Sequence, residues 1–135
     1  MPSSYSAAAA LNRVPGDLQR LEAANTAIAV SGSLEQFLQA NLDWHIGVAK
    51  ASHNEILTGI MVALSRAIYT VTHNEGFVND DVRGITVRAH RSVTRAIKDR
   101  DPEAAVRRMT RHVHAYAAAA LAVEERIAIE VPETG

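Results

Sequence analysis

Cysteine is absent from the 135-residue chain, which excludes a disulfide framework and any thiolate metal site. Aromatic residues make up only 4% of the chain. With so few rings the core must be filled by aliphatic side chains. Abundant alanine lets helices approach closely, so both features favour a helical bundle over a sheet. Charge of one sign is also lacking: 14 basic and 15 acidic residues leave a net charge of −1. No strong field therefore draws the domain as a whole to nucleic acid or to an anionic membrane. The longest apolar runs fall far short of the roughly 20 residues needed to span a bilayer. The N-terminal MPSSYSAAAA lacks the basic stretch and the hydrophobic core of a signal peptide. The expectation is a soluble, cytoplasmic protein, one domain over residues 1–135, long enough to bury a core without covalent staples.

What is present is helical periodicity. Nearly every segment repeats with period 3.6 rather than 2. Ala7 to Arg13 reads as a short Ala/Leu helix stopped by Pro15-Gly16. Asp17 to Val30 places Leu18, Leu21, Ala24 and Ile28 on one stripe, with Gly32 expected to end it as the residue after the C-cap. Ser33-Leu-Glu-Gln36 is a capping box that opens a third helix running to about Ala51. Ser52-His-Asn-Glu55 reads as a second capping box, opening a fourth helix from Asn54 to about Thr72. Thr72 to Asp80 is rich in turn residues. A fifth helix follows to Lys98, and Asp101-Pro102-Glu103 is a strong start signal for a sixth reaching about Ile129. The remaining VPETG is expected to fray. The fold expected is all-α, an antiparallel bundle of about six helices around a central ligand or metal cavity.

Helical phase sorts the six histidines. Phe37, Asn41, His45 and Val48 share one face of the third helix. Thr86, His90, Val93 and Ile97 share a face of the fifth. Ala105, Met109, His112, Tyr116, Ala119 and Val123 form a stripe on the sixth. Three histidines on three helices thus point inward, with an amide one turn before the first. His114 lies about 200° around the helix from His112 and faces out. His53 falls in a cap and His73 in the turn-rich linker. A lone histidine on an apolar face is ordinarily a hydrogen-bonded core residue. Three together, each costly to bury unpaired, are most cheaply placed when they converge on a cation. Phase alone leaves both readings open. Imidazole suits zinc, nickel, manganese or iron, and an amide oxygen adds a harder ligand. Four protein ligands on one side of an octahedral ion would leave two positions for water or an oxygen-bearing molecule. A neutral amide at Asn41 leaves more positive charge than Asp would, which favours an anionic ligand.

The motifs N-x-x-W-H-x-x-V-x-x-A-S-x-N-x-x-L (Asn41 to Leu57), H-R-S-V-T-R-A-I-K-D-R-D-P-E-A-A (His90 to Ala105) and M-T-R-H (Met109 to His112) carry a resemblance. In this order they resemble the FadR C-terminal, or FCD, effector-binding domain of GntR-type bacterial transcription regulators. Asp17 to His45 matches its early helices. The resemblance implies a dimerising helical bundle that holds a divalent metal in a central cavity. Its D/N-x-x-x-H, H, H ligand pattern falls on Asn41, His45, His90 and His112, with Asn where Asp is more usual. Zinc is the first choice of metal, with nickel or manganese next. Arg66 resembles a basic position that can meet a ligand carboxylate in the family, and equally reads as a solvated surface arginine. The family's regulators carry a winged helix-turn-helix before this domain, whereas no segment here reads as a recognition helix. DNA would be reached only through such a domain outside this chain.

The leading functional expectation is an effector-sensing domain that binds a divalent metal and a small organic acid, forms a homodimer, and controls an attached DNA-binding domain. No membrane partner is expected. The alternatives are a metal-dependent hydrolase or isomerase, and a metal-free structural bundle. No catalytic residue is assigned: Asp43 lies about 200° from Asn41 around the helix and Glu55 is committed to a cap. Arg107, Arg108 and Arg111 read as a solvated face or a dimer contact.

Overall fold

The structure, a computed structural model, describes residues 2–71 and 79–130. The turn-rich stretch with His73, apart from its last residues, and the C-terminal VPETG lie outside the described residues. Six helices make up the fold: α1 (Pro2–Asn12), α2 (Pro15–Ala29), α3 (Leu34–Ala51), α4 (Glu55–Val71), α5 (Asp80–Lys98) and α6 (Pro102–Glu130). No strand occurs among the described residues, and the chain is an all-α bundle as its periodicity predicts.

Local chemistry sets the helix ends. Ser33 accepts from the Gln36 amide at 3.2 Å, while the Gln36 side chain reaches back to the Gly32 amide at 2.8 Å, one residue further than an ordinary capping box. Asn79 and Asp101 cap α5 and α6 by accepting from Val82 at 2.9 Å and Ala104 at 3.0 Å. Four local readings need correction, the first being that α1 begins at Pro2 rather than Ala7. Pro15 does not merely stop α1; it occupies the first turn of α2, whose N-cap amide on Val14 donates to the Asp17 carboxylate at 2.8 Å. The end of α2 is set by Val30 and by Ser31, whose hydroxyl donates to the Ile28 carbonyl at 2.7 Å, rather than by Gly32. Ser52 closes α3 instead of opening α4, and Asn54 caps α4, accepting from Ile56 and Leu57 at 3.0 and 3.1 Å. His53 between them takes a left-handed φ of 54°.

Long-range polar contacts gather three of the five connections at one end of the bundle. Asn12 donates to the Ser52 carbonyl at 2.9 Å, and Arg13 donates to the carbonyls of Ile97 and Lys98. Arg100 returns the contact by donating to the carbonyls of Leu11 and Arg13, both at 3.1 Å. His53 Nε2 meets Asp17 Oδ2 at 2.8 Å. The C-termini of α1, α3 and α5 and the N-termini of α2, α4 and α6 therefore share this end, which makes the bundle alternate up and down.

Trp44 and Phe37 are the largest fully buried side chains, and both lie on α3. Trp44 shares one core cluster with Leu21 of α2, Val48 of α3, Val93 and Ile97 of α5, and Ala105 and Met109 of α6. Helices α2 and α3 come so close that a methyl group on Gly47 would lie 3.0 Å from the Leu21 side chain. Helices α5 and α6 pack against each other, and α3 faces them across this core, so that the middle turns of all three, which carry the inward histidines, meet at one place.

Candidate metal centre

His45 on α3, His90 on α5 and His112 on α6 converge. One ligand-capable nitrogen from each lies within 4.8 Å of the others, and the Nε2 atoms of His90 and His112 are 3.1 Å apart. The rings stand in an ordered array. Those of His45 and His112 are near parallel, 11° between planes, and the His90 ring is perpendicular to both at 89°. Two nitrogens about 2.1 Å from one ion lie roughly 3 Å apart when they occupy adjacent positions, so the His90–His112 spacing suits a shared cation. Two neutral imidazoles can otherwise satisfy only one hydrogen bond between them.

Three atoms in this region are enclosed without a partner among the described residues: Asn41 Oδ1, His45 Nδ1 and His90 Nδ1. Leaving a buried polar atom unpaired costs about 1–3 kcal/mol, so the cluster is expensive as an ordinary core. Asn41 sits one turn before His45 on the same helix face, and its amide oxygen is of the ligand type that an imidazole set accepts. The donors present fit a divalent transition metal.

Burial also fixes the protonation state. His90 is fully buried and His112 nearly so. His45 is half-buried as a residue, although its Nδ1 is enclosed. Desolvation, with His112 adding repulsion, pushes His45 down to about 3. Desolvation alone pushes His112 down to about 4. His90 is held well below its usual value by burial first, then by its two neighbours. All three are neutral at physiological pH, which is the form that binds a metal.

A residue to which sequence reasoning assigned no role completes the centre. Trp44 stacks on His90 with 3.7 Å between ring centroids and 4° between planes. Its Nε1 donates to Thr94 Oγ1 at 3.2 Å, one turn beyond His90 on α5. The indole is therefore clamped to the helix whose imidazole it supports, and it fixes the orientation of that ring. The available signal was its position immediately before His45 as the single tryptophan of the chain.

The other polar residues fall where phase places them, with one exception. His114 is exposed, and Asp43 is exposed and bonded to Gln39 at 2.9 Å. His53 pairs with Asp17 at the bundle end. Arg66 is exposed on α4, outside the imidazole cluster. Arg107 and Arg111 are exposed, whereas Arg108 is half-buried and ties α6 to α5 by donating to the Ser92 carbonyl at 2.9 Å.

The family model of the FCD domain matches residues 4–115, a span that contains Asn41, His45, Arg66, His90 and His112. The chain belongs to the FCD domain family. No curated protein matches it. Membership makes this FCD domain a regulatory, effector-binding module of the GntR family of transcription regulators, a class that is typically not catalytic. No helix among the described residues is long and apolar enough to cross a membrane.

Proposed function

We propose that this FCD domain, as one domain over 1–135, senses a small organic acid through a divalent metal held by Asn41, His45, His90 and His112. The observation that carries the reading is the convergence of three neutral imidazoles from three helices beside the unpartnered Asn41 oxygen. Zinc is the first choice for such a nitrogen-rich set, with nickel or manganese next. Bound there, the ion supplies a Lewis-acidic position for an effector oxygen. The chain's own residues prepare that position: Trp44 fixes His90, burial keeps all three imidazoles neutral, and Asn41 adds an oxygen without adding negative charge. Arg66, exposed on α4, is the cation we assign to the far end of the effector carboxylate. Among the described residues the imidazole cluster contains no Asp or Glu, and FCD domains are typically regulatory rather than catalytic, so we prefer a sensor to an enzyme.

The reading extends to assembly. Helix α4 packs mainly on α3 and exposes Ile56, Ile60 and Leu64 along one face, spaced a turn apart. Such a stripe fits a second copy of this chain, and effector binding alters an associated DNA-binding domain, in the cytoplasm, by favouring one arrangement of that homodimer.

Thermal unfolding with and without zinc, nickel or manganese tests the centre. Metal is expected to raise the midpoint in the native protein and in His114→Ala, and to leave His90→Ala and His112→Ala unmoved. A native protein that purifies free of metal and shows no shift refutes the site. Small carboxylates are expected to stabilise only the metal-loaded protein, and turnover of any of them contradicts the sensor reading.

A further inference from the structure

On the outer face of α5, Arg88, Arg91, Arg95 and Lys98 recur at steps of three, four and three residues, while His90, Val93 and Ile97 face the core. At 1.5 Å per residue this stripe of four cations spans about 15 Å. Helices α2 and α6 wall it into a cleft of about 690 Å³ that Arg108 of α6 also lines. This volume falls within the roughly 300–1,000 Å³ of small-molecule sites. The Arg108 guanidinium is fixed at the wall by its bond to the Ser92 carbonyl.

The cationic charge in the cleft exceeds the acidic charge beside it. Glu22 is the one acidic residue among those lining it, and among the described residues none of the five cations forms an ion pair. Like charges three or four residues apart destabilise a helix. That repulsion is relieved when an anion occupies the cleft. The chain as a whole carries −1, so the excess is local and not a reflection of a basic protein. Arginine forks match phosphate oxygens in pairs. One phosphate group brings at most about −2, which leaves much of this charge unpaired, so the spread of cations suits two or more linked groups. The concave shape favours a compact polyanion over the extended backbone of a nucleic acid.

We propose that the cleft between α2, α5 and α6 is a second ligand site, separate from the imidazole centre, that takes a small molecule carrying two or more phosphate groups. Isothermal titration of the metal-free full chain with inorganic tripolyphosphate at physiological salt tests it. The expected result is one saturable site, at least tenfold weaker for orthophosphate. Arg91→Gln with Arg95→Gln is expected to weaken it at least tenfold, and Arg88→Gln with Lys98→Gln to do the same. Arg107→Gln with Arg111→Gln removes the same charge from the neighbouring exposed surface and is expected to change affinity less than twofold. All these residues are exposed, and far-ultraviolet dichroism checks that each variant folds. Absence of saturable binding, or equal losses in the cleft and control variants, overturns the proposal. So does a short DNA duplex that displaces tripolyphosphate with the same arginine dependence, because the surface would then be a nucleic-acid face.

Discussion

Acidifying the metal-free protein from pH 7 to pH 5 is expected to remove a large part of its stability. Imidazoles in the unfolded chain titrate near 6.5, whereas the fold pushes His45 down to about 3 and His112 to about 4, and holds His90 well below its usual value. Below pH 6.5 the unfolded chain takes up protons that the native chain refuses. The stabilisation is therefore fully present above pH 6.5 and is lost as the pH falls, until His112 and then His45 protonate in the native state near 4 and 3. At about 1.4 kcal/mol per pH unit, each imidazole costs about 2 kcal/mol by pH 5, and the three together about 5–6 kcal/mol. A domain of this size holds roughly 5–15 kcal/mol in total, so the protein is expected to be marginal or unfolded near pH 5. Urea titrations in chelator-containing buffer at the two pH values measure it directly. His112→Gln is expected to shrink the pH-dependent loss by about a third. A urea midpoint that is equal or higher at pH 5 would refute the burial of neutral imidazoles.

Further outcomes follow from single contacts. Replacing Asn41 by Leu removes an unpartnered acceptor, so it is expected to stabilise the metal-free protein by about 1 kcal/mol while abolishing metal-induced stabilisation; urea and metal titrations read the two effects separately. Asp17→Ala deletes the acceptor shared by the Val14 amide, Arg20 and His53, and is expected to cost about 2–3 kcal/mol in urea unfolding. Trp44→Phe loses the bond to Thr94 and the matched stack on His90. About 1–2 kcal/mol of stability and roughly tenfold in zinc affinity are expected to go with it, measured by calorimetry. Ile60→Lys places a charge in the exposed α4 stripe and is expected to convert the proposed homodimer to monomer in analytical ultracentrifugation.

The sequence determined what is local. Helix starts at Ser33, Asn79 and Asp101 follow from side chains that bond the amide three residues on, which is always within reach. The inward facing of His90 and His112, and the outward facing of His114, follow from 3.6 residues per turn and hold in the structure. Local reading went astray where two signals competed for one residue. Ser52 could open α4 or close α3, and the contact with Asn12 drawn from across the chain sits with the second. Asp17 read as a helix start, but its carboxylate bonds back to the Val14 amide inside the first turn, and its long-range partner His53 reaches it only at the bundle end. Phase told which way each histidine points along its own helix, but not the height at which α3, α5 and α6 meet. Only packing around Trp44 sets that register, and so only the tertiary structure decided that three imidazoles share one point. The same holds for the cationic cleft. Four of its charges are legible as a stripe on α5, but its walls and the fixed Arg108 come from α2 and α6, whose places the core alone decides.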